Sequence, residues 1–179
     1  VGPDAGENSP KYGPRGHDEV NQAREAGYFG WPLFVGDNKP YNQRKFGNDS
    51  TWATFNPLAP INTSPHNTGL GHLPKAQKAF IYYPYADSPE FGATIGKGSR
   101  NAMAGPVYYS GDYPADAKGK FPSFYDGKLF AYDWARDLVY TVSMKQNGDF
   151  LQMDRFLPNI KFNHPMDMEF DHNGVMYGL

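Results

Sequence analysis

The chain has 179 residues, including 20 glycines, 16 prolines and no cysteine, and its formal net charge is −2. This length suits one domain, the lack of cysteine excludes disulfides and thiolate metal sites within these residues, and the Gly and Pro content is typical of turns and short strands. Without a basic surplus or an apolar stretch of about 18 residues, the sequence argues against binding to nucleic acid and against a membrane span.

The first two thirds of the chain alternate between irregular stretches and short strand candidates. Residues 1–16 and 48–77 are rich in Gly, Pro and small polar residues and show no sustained apolar period. Both are therefore predicted to be long loop insertions in a single domain that spans 1–179. Residues 27–32 predict an aromatic corner where glycines flank large rings, and strands are predicted at 79–83 and from 106 onward.

The last third of the chain has the clearest strand pattern. Residues 128–134, 138–144, 150–156 and 175–179 have the length and the aromatic and β-branched composition of strands. Asn147-Gly148 and Asn173-Gly174 lie between successive strands, and Asn-Gly supplies the two positive φ angles of a tight hairpin turn. The sequence therefore predicts an all-β fold built from antiparallel hairpins, as in a propeller, a barrel or a sandwich.

Among these folds, we predict a β-propeller. The order of strand, Asn-Gly and strand recurs at a spacing that suits propeller blades of roughly 40 to 50 residues, so the chain holds between three and four blades. That number does not close a ring comfortably, and an open ring exposes strand edges. The expectation is a partial propeller with a continuation outside these residues.

Two short runs carry a resemblance to a known family. Residues 13–21 read GPRGHDEVN and residues 27–32 read GYFGWP. In residue type, order and spacing this pair resembles the Gly-Pro, Asp-Glu-aliphatic-Asn and Tyr-Gly-Trp-Pro signature of the soluble quinoprotein glucose/sorbosone dehydrogenases. The resemblance implies a six-bladed propeller, of which this chain covers about half, and a protein of the periplasm or the cell exterior.

The resemblance also implies a calcium site. In the family, main-chain carbonyls of a Gly-Pro pair help to hold Ca²⁺ beneath pyrroloquinoline quinone (PQQ), with the Asp of Asp-Glu nearby, and Ca²⁺ favours such oxygen ligands. The chain offers two pairs, Gly2-Pro3 and Gly13-Pro14. Proximity to Asp18 favours the second pair, and a position just after an expected strand end favours the first. Asp18 is equally well explained as a polar strand residue on a solvated face.

The quinone contacts implied by the resemblance are basic residues on the closing blades, where cations stabilise the carboxylates of the cofactor. Arg136 lies near a position where the family has Lys, and the segment where two Arg are expected begins at His164. Arg136 and His164 are therefore the quinone-binding candidates, although a loop histidine often only hydrogen-bonds the backbone. The family's catalytic His and its Arg-Asn pair precede the Gly-Pro loop, which places them upstream of Val1.

Two functions follow as expectations. The first is a PQQ-dependent dehydrogenase that oxidises a sugar or a related alcohol by hydride transfer to the calcium-bound quinone. The second is a non-catalytic propeller that serves as a carbohydrate-binding or assembly module, with the rest of the propeller or other modules of a larger extracellular protein as partners. The intact signature favours the first function, and the departures at Arg136 and His164 favour the second.

Overall fold

The computed structural model describes residues 7–45 and 47–179 as short strands and loops with almost no helix. The all-β prediction is therefore confirmed. The chain divides into two compact units, Val1–Ala86 (unit 1) and Asp87–Leu179 (unit 2). The described strands form sheets of two or four strands and close no barrel or propeller ring. No helix within the described ranges is long and apolar enough to cross a bilayer.

Unit 1 is built from three antiparallel strand pairs, β1 with β6, β2 with β3, and β4 with β5. Its strands are β1 (His17–Val20), β2 (Phe34–Val35), β3 (Lys39–Pro40), β4 (Asn42–Arg44), β5 (Thr51–Thr54) and β6 (Ile81–Pro84). All four residues of β6 are buried, so its apolar and aromatic side chains supply much of the core. Strand β5 lies inside the predicted loop 48–77 and is a strand that the sequence pattern missed.

Unit 2 is built around one four-stranded antiparallel sheet in the order β7, β8, β9, β10. Its elements are α1 (Gly92–Ile95), β7 (Ala102–Tyr108), β8 (Lys128–Asp133), β9 (Leu138–Met144), β10 (Phe150–Phe156), β11 (Met168–Phe170) and β12 (Met176–Gly178). Strands β11 and β12 pair as a separate hairpin. The predicted strands at 128–134, 138–144 and 150–156 agree with β8, β9 and β10 almost residue for residue, whereas β7 begins four residues earlier than predicted.

Both Asn-Gly hairpins form, but the predicted turn geometry is wrong. Only the glycines, Gly148 and Gly174, have positive φ. The Gly148 N–H donates to the Lys145 carbonyl at 2.7 Å, and the Gly174 N–H donates to the Asp171 carbonyl at 3.0 Å. This is the longer hairpin connection in which a β-turn is followed by one left-handed glycine. The extra loop residue removes the need for a left-handed Asn.

The core of unit 2 is an aromatic cluster on one face of the four-stranded sheet. Phe130 in β8 is fully buried and lies at ring-centroid distances of 5.2 Å from Phe156 and 5.5 Å from Phe170. Phe121 and Tyr125 each lie 5.7 Å from it. Most of these rings meet edge to face, the arrangement that aromatic quadrupoles favour. The cluster fixes β8 against the loops that surround the sheet.

Candidate functional site

The Gly13-Pro14 pair closes a small loop immediately before β1. Gly13 and Ser9 exchange two backbone hydrogen bonds, of 2.7 and 2.8 Å. Gly13 has φ +114°, and a Cβ atom at this position would lie 3.0 Å from the Cα of Tyr41. Both facts require glycine here. The Gly13 carbonyl accepts one of the two bonds and keeps a second lone pair, so it remains able to bind a cation.

Asp18 lies in β1, opposite Tyr83 of β6, and is half-buried. Successive strand side chains project to opposite faces, so Asp18 points away from the side occupied by Glu19. The Glu19 carboxylate accepts a hydrogen bond from the Gly36 N–H. Glu19 thus ties β1 to the loop after β2. Asp18, the neighbouring carboxylate, projects from the opposite face of β1.

The oxygen atoms around Gly13 and Pro14 are of the kind that suits calcium. Main-chain carbonyls and a carboxylate are hard ligands, and Ca²⁺ takes about six to eight of them, with the rest supplied by a ligand or by water. Within residues 7–45 and 47–179, no three His, Cys, Asp or Glu side chains come together as a metal cluster. A cation here would therefore depend on backbone oxygens. Gly2 and Pro3, the other predicted pair, lie outside the described residues.

The second half of the signature forms a tight corner in unit 1. The Tyr28 hydroxyl donates to the Gly30 carbonyl at 2.7 Å, and the N–H groups of Leu33 and Phe34 donate to the same carbonyl at 2.8 Å. Gly30 has φ +93°, and a Cβ atom here would lie 3.2 Å from the Cβ of Phe34. The corner leads directly to Gly36, whose N–H is bound by Glu19. Glu19, in the first half of the signature, thus binds the loop that lies just beyond the second half.

Arg136 lies in the turn between β8 and β9, and its guanidinium binds main-chain carbonyls. The Nε–H donates to Ser99 at 3.0 Å, Nη1 donates to Gly96 at 2.9 Å, and Nη2 donates to Gly98 at 3.0 Å. The Arg136 backbone N–H donates to the buried Asp133 carboxylate at 2.9 Å. Arg136 therefore holds segment 96–99 against the turn, and most of its donors are used in doing so.

An open cavity of about 640 Å³ lies beside this segment in unit 2. Three cationic side chains line it, Lys97, Arg136 and Arg155, and none of the described residues in its lining is acidic. The Arg155 Nη1 donates to the Thr94 carbonyl at 3.2 Å. Lys97 lies 3.6 Å from Asp87, but both side chains are 71% exposed, so this ion pair contributes little. The charge of the cavity favours an anionic ligand.

Sequence reasoning selected Arg136 but missed Lys97 and Arg155. Lys97 lies between Gly96 and Gly98, a glycine-flanked lysine that a search for loop cations would have found. Arg155 is one of several polar residues in β10 and carries no such signal. Only the pairing of β10 with β9 brings it to the same cavity.

His164 reaches the same β8–β9 turn from the loop after β10. Its N–H donates to Asp137 Oδ1 at 2.9 Å, and its Nδ1 lies 2.9 Å from the same oxygen and 3.0 Å from the Trp134 carbonyl. The imidazole stacks on the Trp134 indole with a centroid distance of 4.2 Å. The structure thus brings both quinone-binding candidates, Arg136 and His164, to one turn of unit 2, whereas Gly13, Pro14 and Asp18 lie in unit 1.

The pH dependence of unfolding tests whether the Asp137 carboxylate stabilises this turn. Its pKa is held below the ordinary value, first by the hydrogen bond from Lys161 and then by the His164 N–H. A lowered pKa in the folded state adds stability that is present above the unfolded-state pKa, about 3.9, and that is lost as the pH falls through the folded-state value. We expect the urea midpoint of Asp137→Asn to fall less steeply below about pH 4 than that of the unchanged chain.

The control for this experiment is Asp116→Asn. Asp116 is exposed, and no Lys or Arg among the described residues pairs with it in an ion pair. Its profile is expected to follow that of the unchanged chain. Parallel profiles for Asp137→Asn and the unchanged chain would show that the Asp137 carboxylate adds no charge-dependent stability.

The candidate sites therefore consist of a backbone-oxygen loop in unit 1 and a cationic cavity with a stacked His–Trp pair in unit 2. The first offers main-chain carbonyls of the kind that hard cations bind, and the second offers cationic side chains that favour an anionic ligand. Comparison of the chain with protein-family models, with curated proteins and with solved structures gives no match in any of the three.

Proposed function

We propose that the protein carrying this chain is a periplasmic or extracellular quinoprotein of the glucose/sorbosone dehydrogenase type, which oxidises a sugar or a related alcohol. The observation that carries the proposal is the two-part run at 13–21 and 27–32, both halves of which lie in unit 1. The glycines of the run also occupy positions that need glycine, as at Gly13 and Gly30.

Two features of unit 2 support the same proposal. PQQ carries carboxylates, and a cavity lined by Lys97, Arg136 and Arg155 has the charge to bind them. The four-stranded antiparallel sheet, with its strands in sequential order, is the form of a single propeller blade. A propeller fold is therefore part of the proposal.

The roles of the chain's own residues follow from their chemistry. The carbonyls of Gly13 and Pro14 and the carboxylate of Asp18 would hold Ca²⁺, and Lys97 and Arg155 would neutralise carboxylates in the cavity of unit 2. PQQ, when bound, supplies the two-electron acceptor that takes the hydride from the substrate.

The test uses the full-length protein that carries this chain. The protein is freed of divalent cations with a chelator and titrated with PQQ in the absence and presence of Ca²⁺, and the absorbance of the quinone and the reduction of a dye by a panel of aldoses are followed. We expect quinone binding that depends on Ca²⁺ and dye reduction that depends on sugar. Lys97→Met and Arg155→Met are each expected to weaken quinone binding about tenfold, which corresponds to about 1.4 kcal/mol.

A second candidate function is supported by a separate observation. The guanidinium of Arg136 donates to three carbonyls of segment 96–99, which favours a structural role for this residue over contact with a cofactor. A propeller retained as a carbohydrate-binding or assembly module would use Arg136 in this way, since fold does not fix function. Absence of quinone binding by the folded, calcium-saturated protein would contradict the dehydrogenase proposal and favour this alternative.

A further inference from the structure

The β8–β9 turn presents an arrangement of three side chains, of which the resemblance assigns a role only to His164. Trp134 and His164 stack with their ring planes at 20°, and the Asp137 carboxylate lies beside the imidazole. None of these residues belongs to the lining of the cationic cavity. The arrangement therefore needs its own explanation.

The surroundings of His164 fix the proton of its neutral ring. Nδ1 lies within hydrogen-bond distance of two acceptors, Asp137 Oδ1 and the Trp134 carbonyl. A ring nitrogen that faces two acceptors carries the hydrogen, so Nε2 is left with the lone pair. Among the described residues, no donor contacts Nε2, and the side chain is 49% exposed. His164 thus offers an oriented acceptor to solvent.

Backbone conformation maintains this orientation. His164 has φ +51° and Asp137 has φ +53°. Left-handed backbone is uncommon for residues other than glycine, and it persists where surrounding contacts enforce it. Here the contacts are the hydrogen bond from the His164 N–H to Asp137 and the ring stack on Trp134. The carboxylate and the ring are therefore held in place before any ligand arrives.

The Asp137 carboxylate lies beside the ring and is itself bound by Lys161. The Lys161 ammonium lies 2.9 Å from Asp137 Oδ2, and its side chain is 80% exposed. A ligand at His164 Nε2 would therefore meet an acceptor and the exposed part of the ring pair, since Trp134 is 36% exposed. Hydroxyl groups bonded to an apolar carbon ring match this combination of polar atoms and aromatic surface.

We propose that Trp134, Asp137 and His164 form a saccharide subsite in which a sugar hydroxyl donates to His164 Nε2. The apolar C–H face of the pyranose ring covers the exposed part of the Trp134–His164 pair. Asp137 is the positioning residue, because it acts through His164. This inference rests on the proposed sugar substrate and adds where unit 2 contacts it.

The test uses the full-length protein that carries this chain, prepared without quinone. Imidazole and indole resonances are recorded by long-range ¹H–¹⁵N NMR at about pH 8, above the ordinary pKa of histidine, while D-glucose, D-galactose or glycerol is added. We expect the Nδ1–H form of His164 and saturable shifts of His164 Nε2 and the Trp134 indole with both sugars, with dissociation constants of about 1–10 mM. Glycerol, which lacks the ring, is expected to cause no saturable shift.

The matched variant is His164→Asn. The amide nitrogen of Asn replaces Nδ1 and can donate to the same acceptors, and Asn tolerates left-handed backbone, so the hydrogen bonds of the turn are kept while Nε2 and the ring stack are lost. We expect the spectrum outside the β8–β9 turn to be unchanged and sugar affinity to fall at least about tenfold. Unchanged affinity in this variant, or no saturable shift at His164 with either sugar, would overturn the proposal.

Failure here is distinguishable from failure of the proposed function. Calcium-dependent quinone binding without any response of His164 to sugar would remove the subsite and leave the dehydrogenase proposal intact. A response of His164 to sugar without quinone binding would support the subsite and contradict the dehydrogenase proposal. It would then favour the carbohydrate-binding alternative.

Discussion

Phe130→Ala is expected to lower the unfolding free energy of unit 2 by about 3–5 kcal/mol, the usual cost of removing a fully buried phenylalanine ring. Phe130 has no exposed surface and contacts four other rings, those of Phe121, Tyr125, Phe156 and Phe170. These rings come from β10, β11 and the segment before β8, so they cannot move together to fill the space. The measurement is urea unfolding followed by near-ultraviolet circular dichroism, which reports on packed aromatic rings.

The matched control is Phe124→Ala, which removes the same number of atoms from the same unit. Phe124 is 61% exposed, although the Lys128 ammonium lies 3.4 Å from its ring centroid. The loss of this cation–π contact is expected to cost about 1 kcal/mol. Equal destabilisation by the two substitutions would show that the aromatic cluster is not the core of unit 2.

Arg136→Met is expected to cost about 2–4 kcal/mol, because it removes three charge-assisted hydrogen bonds and keeps the apolar stem of the side chain. The carbonyls of Gly96, Gly98 and Ser99 lose their donor, and segment 96–99 is then no longer held to the β8–β9 turn. Hydrogen exchange at the amides of this segment is expected to accelerate more than exchange in β8 and β9. Urea unfolding gives the accompanying loss of global stability.

Two further variants define the role of Arg136. Arg155→Met removes a neighbouring guanidinium with a single contact, to the Thr94 carbonyl at 3.2 Å, and is expected to cost about 1 kcal/mol or less. Arg136→Lys keeps the charge but replaces a planar fork of donors with a single ammonium, and we expect it to recover less than half of the loss. Full recovery by lysine would show that charge, and not the set of three hydrogen bonds, stabilises the segment.

The elements that the sequence predicted well are those with strong local patterns. Strands β8, β9 and β10 are long for this chain, rich in aromatic and β-branched residues, and separated by turns that their own residues specify. Strands β2 to β5 have two to four residues each. Such short strands exist only through their pairing partners, which is why the pattern of 48–77 indicated a loop where β5 forms.

The candidate site shows the same division between local and long-range information. The position of the Gly-Pro loop before β1 follows from a local run of residues, whereas the requirement for glycine at Gly13 depends in part on the long-range approach of Tyr41. Lys97 and Arg155 are far apart in sequence and converge on one cavity only because β10 pairs with β9 while Arg136 draws segment 96–99 to the turn. No single-sequence pattern contains that convergence, and the stack of His164 on Trp134 was missed for the same reason.

Strand β10 has a consequence for association between molecules. It is an outer strand of the four-stranded sheet, and within the part of the chain that the structure describes no strand pairs with its other side. A row of open backbone donors and acceptors is a template for aggregation by edge-to-edge pairing. Charged Asp154 and Arg155 and the register shift between Phe150 and Gln152 interrupt this row. These features oppose repeated edge-to-edge pairing between molecules. They leave the edge able to pair with a strand whose charges and register complement its own.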